Sequence, residues 1–319
     1  MAVYTLVSDE NLEAFLAEYD VGEVVSAKGI AEGVENTNYL IHTERSHFIL
    51  TLYEKRVAEK DLPYFLGLME HLAGRGIRCP VPVHGRDGKA LRRLAGRPAA
   101  LVTFLDGVCL SRPQAHHCRA LGETLARLHI AGADFAPRRE NALGVAGWRP
   151  LFERSAARAD ELAGGLVHLI TGELDYLEAS WPDDLATGVV HADLFPDNVF
   201  FIHDAVSGLI DFYFACTDAY AYDLAVCLNA WCFERGGELN ATKARALVEG
   251  YEMARPLDRA DREALPMLCR GAALRFLLTR LYDWFHTDDR ALVRRKDPLE
   301  YLARLRFHRG AGSPASYGL

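Results

Sequence analysis

The chain has 319 residues, half of them hydrophobic and 25% charged, with a formal net charge of −8. That is an ordinary globular composition, long enough for a large core and two lobes, and its acidic balance gives no general attraction to nucleic acid or to an anionic membrane. Seven scattered cysteines without a C-x-x-C spacing argue against a zinc site or a disulfide framework; with no signal-peptide or membrane-spanning pattern, they predict reduced thiols in a cytoplasm.

In chain order, Leu12, Phe15, Leu16 and Tyr19 recur at helical spacing and predict an amphipathic helix over residues 9–19. Short runs rich in β-formers follow at 24–27, 38–42 and 47–53, with the loop Gly29 to Thr37 between the first two. Leu62, Phe65, Leu66, Met69 and Leu72 predict a second helix, which ends before Cys79-Pro80-Val81-Pro82. Asp87-Gly88 reads as a hairpin turn joining His84-Gly85 to Leu91-Arg92, and 99–104 as a further strand. Asp106-Gly107 is the expected hinge or crossover, so residues 1–105 form a small β-rich lobe and residues 106–319 a second one. There, Leu121, Leu125, Leu128 and His129 share a helical face, and 151–163, 170–180, 241–254 and 260–286 also read as helices, interrupted only by a hairpin over 199–211. The Gly- and Ser-rich tail, Gly310 to Leu319, is expected to be loosely held. The fold class is α+β, in two lobes, with the nucleotide expected in a cleft between them.

The chemistry concentrates in His191-Ala192-Asp193-Leu194-Phe195-Pro196-Asp197-Asn198 and in Ile210-Asp211-Phe212. Pro196 and the Asp197-Asn198 pair break any helix, so Asp193 and Asn198 lie on a loop. The strand 199–202 and its return at 209–210 bring Asn198 and Asp211 to the same end of a hairpin, close to Asp193. Two oxygen ligands suit Mg²⁺, and a nearby carboxylate can accept the proton of an attacking hydroxyl. Single Asp and Asn residues are common turn polars. The combined spacing points to phosphoryl transfer.

These motifs resemble those of the aminoglycoside phosphotransferase and choline kinase superfamily, which has the protein-kinase-like fold. The wider set, Gly29 to Asn38, Phe48 to Leu52, Asp61 to Pro63, Gly208 to Tyr213, Tyr222 to Ala225 and Leu228 to Cys232, resembles the bacterial homoserine kinases of that fold over about residues 5–305. The resemblance implies transfer from ATP, with Mg²⁺, to L-homoserine as small-molecule substrate, the penultimate step towards threonine. Another small hydroxylated amine, such as choline, an aminoglycoside or a sugar amine, stays open as acceptor, as does a catalytically silent nucleotide-binding protein.

Asp193 is the expected base and Asn198 and Asp211 the expected metal ligands; by resemblance, His191 and Asp223 support the catalytic loop. Gly29, Gly33 and Asn36 belong to a loop whose N–H groups can cradle phosphates; its Glu32 and Glu35 either point away or bind a substrate ammonium or the metal. Many relatives carry Lys or Arg where Thr51 stands here, so Lys55, Arg56 or Lys28 could supply the cation for the phosphates, with Lys55 favoured over a solvated surface role. Thr103 and Leu105 are expected to meet adenine with backbone groups. Tyr213, Asp218, Asn229 and Arg275 are candidate contacts for the zwitterionic substrate, although core or surface placement is the commoner fate for each. The oligomeric state is not legible.

Overall fold

The computed structural model describes residues 5–30, 36–54, 57–287 and 295–319. The chain divides between Asp106 and Gly107 into two compact units.

In the first unit, helix α1 (Asp9–Leu16) is capped by Ser8, whose hydroxyl accepts from the Asn11 N–H. A five-stranded antiparallel sheet follows, in the order β1 (Val24–Ile30), β2 (Thr37–Thr43), β3 (His47–Leu52), β5 (Arg97–Thr103), β4 (Leu91–Leu94). Helix α2 (Leu62–Gly74) lies between β3 and β4 in sequence. Leu12, Phe15 and Leu16 of α1 bury against Ile41, Phe48, Leu50 and Leu101 of the sheet. The expected hairpin at Asp87-Gly88 does not form. Gly88 N–H closes a turn on the Gly85 carbonyl, but the strand Leu91–Leu94 instead pairs forward with β5. That hairpin turns at Ala95 (φ 51°) and Gly96 (φ 75°), the two positive φ values a tight two-residue connection requires.

The second unit is mainly helical: α3 (Ala115–Ala131), α4 (Val145–Glu153), α5 (Ala156–Ala159), α6 (Leu166–Ser180), α7 (Tyr220–Trp231), α8 (Ala241–Glu252), α9 (Arg259–His286) and α10 (Pro298–Gly310). Strands interrupt it more than the sequence suggested. The hairpin β8 (Val199–Ile202) and β9 (Ala205–Leu209) is joined by β6 (Val108–Cys109), while β7 (Thr187–Val190) pairs with β10 (Cys216–Ala219). Pairing with β8 leaves Cys109 exposed, with its thiol donating to the Asp197 carbonyl at 3.3 Å. The tail is not loose. Pro314–Tyr317 forms a 3-10 turn, and the fully buried Tyr317 donates its hydroxyl to His308 Nδ1 at 2.7 Å.

Helix α7 is buried nearly all round, so no amphipathic face marks it. Its neighbour α9 runs 28 residues and supplies buried groups along most of its length. Helices α3 and α8 meet at two glycines. A Cβ on Gly122 would collide with the Leu247 carbonyl, and one on Gly250 with the Arg119 carbonyl.

Candidate active site

The loop between β7 and β8 carries Asp193, and the interior fastens almost every residue of it. Asp223, fully buried on α7, accepts from the His191 N–H at 2.7 Å and the Ala192 N–H at 2.8 Å. His191 Nε2–H donates to the Ile210 carbonyl at 3.0 Å, and its ring lies 4.6 Å from that of Phe212. Trp231 Nε1–H donates to the Leu194 carbonyl at 2.7 Å. The Phe195 ring packs edge-on against Phe276 at 4.8 Å, next to Tyr301. Within the loop, Phe195 N–H returns to the Asp193 carbonyl at 2.8 Å and Asn198 N–H to the Phe195 carbonyl at 2.9 Å.

This bracing holds two non-glycine residues in the left-handed region, Ala192 at φ 62° and Asp211 at φ 64°. Such backbone costs on the order of 1 kcal/mol or more, and it persists where the surroundings over-determine it. Ile210 N–H donates to the Asn198 carbonyl at 3.0 Å, which sets Asp211 one residue beyond the point where β9 returns to the Asp193 loop. The Asn198 amide nitrogen donates to the Asp193 carbonyl at 2.8 Å and to Asp193 Oδ2 at 3.2 Å. That commits its nitrogen and leaves Oδ1 as the atom for a cation. Asn198 Oδ1 and the half-buried Asp211 carboxylate are hard oxygen donors, a set that fits Mg²⁺.

Burial drives His191 down to about 4, so the ring is neutral and can donate to Ile210. Burial also pushes Asp223 upward, yet the bonds and charges from His129 and His191 outweigh it and hold the carboxyl below its usual range. His129 was read from sequence only as part of a helical face. It joins this network: Nε2–H donates to Asp223 at 3.1 Å, and Nδ1 accepts from the Tyr251 hydroxyl at 2.8 Å. Arg255 in turn donates to the Tyr251 oxygen at 3.1 Å. The available signal was a lone imidazole on an otherwise apolar face, which a core histidine produces equally well.

The proposed substrate contacts fare unevenly. Asn229 is a correction: it is fully buried, its amide donates to the Ala225 and Cys269 carbonyls at 3.0 Å each, and its Oδ1 accepts from His308. A side chain so engaged inside the fold cannot meet a substrate. Asp218 accepts from Asn141 at 2.6 Å and from the Ala219 N–H at 2.7 Å, with burial raising its carboxyl, so it ties the loop at 139–144 to β10. Tyr213 is half-buried in the 3-10 turn that follows Asp211. Arg275 is 2% exposed and donates to the Ala192 carbonyl at 2.7 Å.

Within the first unit, Gly29 pairs opposite Tyr39, while Gly33 and Lys55 lie outside the described residues. Asn36 is buried and accepts the Glu54 N–H at 3.3 Å, fixing the end of β3. Thr51 donates to Asn38 Oδ1 at 2.8 Å, so a neutral pair occupies the position where the resemblance implied a cation. The Thr103 hydroxyl accepts from the Val81 N–H and its own N–H donates to the Val81 carbonyl, both at 2.9 Å, which ties the end of β5 to Val81. Leu105 is half-buried, just past β5.

Among the described residues, His116, His117 and Asp204 form a cluster with ligand-like spacing. However, His117 Nδ1 accepts from the Gln114 N–H at 3.0 Å to cap α3, so its Nε2 carries the proton and donates to Asp204. A protonated nitrogen is no metal ligand.

The sequence matches the Phosphotransferase enzyme family over residues 26–257. It is 61% identical to the homoserine kinase of Paramagnetospirillum magneticum, with 100% of both chains covered. It is 62% identical to that of Rhodospirillum rubrum, covering 100% of this chain and 99% of the relative. The fold is similar to that of an amicoumacin kinase, hAmiN, solved with AMP-PNP, Ca²⁺ and Ami, at TM-score 0.69 and 16% identity, covering 95% of this chain and 92% of that one. The protein-kinase-like arrangement, the braced Asp193 loop and this match over most of the chain together place it in the phosphotransferase enzyme family.

Proposed function

We propose that the chain transfers the γ-phosphoryl group of ATP to the side-chain hydroxyl of L-homoserine, giving ADP and O-phospho-L-homoserine on the way to threonine. The observation that carries this reading is identity of about 60% to homoserine kinases along the full length of the chain. Asp193 orients the acceptor hydroxyl and takes its proton as the oxygen–phosphorus bond forms and the bond from phosphorus to the ADP oxygen breaks. Asn198 keeps the Asp193 carboxylate in place through its amide nitrogen. A divalent cation, held by Asn198 Oδ1 and Asp211, would neutralise charge on the phosphates. In this reading residues 1–105 supply the nucleotide contacts and residues 106–319 the base, the metal ligands and the acceptor pocket. Among the described residues no helix is long and apolar enough to cross a membrane. We place the enzyme in the cytoplasm, in keeping with its free thiols.

The test is an ADP-release assay with ATP and Mg²⁺ across L-homoserine, L-serine, choline and kanamycin, with the product identified by phosphorus NMR. Turnover confined to L-homoserine is expected. Preference for another acceptor overturns the substrate and keeps the phosphoryl transfer.

A further inference from the structure

Arg275 sits on α9 with 2% of its surface exposed, and the mechanism above assigns it no task. Its Nη1 donates to the Ala192 carbonyl at 2.7 Å and lies 3.6 Å from Asp193 Oδ1. The guanidinium stacks over Phe276 at 3.9 Å and approaches Phe214, in the turn after Asp211, at 5.2 Å. Asp193 is its ion-pair partner. A guanidinium taken out of water is costly unless an opposite charge compensates it, and an apolar side chain of the same size would fill the space without that cost. What Arg275 adds over such a side chain is a bond to the left-handed residue before the base, and a charge beside the base itself.

We propose that Arg275 is a positioning residue for phosphoryl transfer. It pins the Ala192 carbonyl, which sets the rotation of the next peptide, and draws Oδ1 of Asp193 to one side. Asn198 holds Oδ2 from the other side at 3.2 Å. The carboxylate is thereby held between a fixed charge and a fixed donor before the acceptor arrives. The assignment rests on the phosphotransferase reading of this loop.

A double-mutant cycle tests it, with Arg275→Met, Arg275→Lys, Asp193→Asn and the Met/Asn double variant, each first checked for a cooperative thermal transition. Arg275→Met is expected to lower kcat on L-homoserine by about 100-fold, the scale of a misplaced reactive group. KM for homoserine and affinity for AMP-PNP should stay within roughly threefold, as expected when ground-state binding is untouched. Arg275→Lys should recover part of the loss. In the Asp193→Asn background, Arg275→Met should cost less than about threefold more, since its effect runs through Asp193. A rise in KM with kcat unchanged would instead make Arg275 a substrate-carboxylate contact and overturn the proposal. A full additional loss in the Asp193→Asn background would also overturn it. If Arg275→Met fails to fold, the same cycle is run with Arg275→Lys. If the wild type is silent on homoserine, the substrate reading has failed; the cycle is then measured on Mg²⁺-dependent ATP hydrolysis, where no coupling to Asp193 would sink the Arg275 role separately.

Discussion

Removing the Asp223 carboxylate would leave the His191 and Ala192 N–H groups and the His129 ring without their acceptor, all in the interior. Unpaired groups there cost about 1–3 kcal/mol each, so Asp223→Ala should lower the unfolding free energy by on the order of 3 kcal/mol or more, read from urea titration. Activity should fall further than stability alone accounts for, because the same bonds hold Ala192 in its left-handed conformation. Asp193→Asn removes the base and also the charge facing the buried Arg275, so it should lower the urea midpoint somewhat. It should cut kcat by roughly 10²–10⁴-fold, the range for a lost general base, far more than the stability loss accounts for. The spacing of Asp193, Asn198 and Asp211 is legible in sequence because loop chemistry and a short hairpin dictate it. The roles of His129, Asn229 and Arg275 are not, because each depends on a partner that lies 79 or more residues away in the chain.

At the scale of elements, the close crossing of α3 and α8 depends on backbone meeting backbone at Gly122 and Gly250. Gly122→Ala gains helix propensity but drives a methyl into the Leu247 carbonyl. The net loss should be about 1–3 kcal/mol, seen as a lower melting temperature. The sequence reading located most helices by their apolar spacing and blurred their ends. It misplaced the β4–β5 hairpin because Asp-Gly is the stronger local turn signal, whereas pairing register chose Ala95-Gly96. It missed β7 and β10, four residues each, because so short a run carries little periodicity and gains its order from pairing across the chain. Helix α10 was passed over for a related reason. Arg304 and His308 are charged or polar in sequence, yet they turn inward to serve the Asn229 backbone and side chain.

For the whole molecule, acid stability follows from its buried imidazoles. Burial lowers His191 to about 4, and burial with the charges of Arg304 and Arg270 lowers His308 to about 3. The unfolded chain binds these protons from about pH 6.5 downward and the folded chain does not. Their contribution is therefore complete above about pH 6.5 and is lost as pH falls towards 4 and then 3. Urea midpoints measured between pH 8 and pH 4 should be level at first and then decline, and His308→Gln should make the decline shallower. The change from a strand-rich N-terminal region to a mainly helical remainder was visible in sequence patterning. The seating of the tail was not, since Tyr317 follows a Gly- and Ser-rich stretch and reveals its role only against His308.

Six of the seven cysteines are buried, and Cys109 alone is exposed. Its thiol touches the carbonyl of Asp197, one residue before Asn198. A thiol-specific dye added to the native protein would therefore attach at one address, on the rim of the loop proposed to perform the chemistry. Such a conjugate would put an optical label beside the proposed nucleotide and metal site, without any cysteine being engineered in.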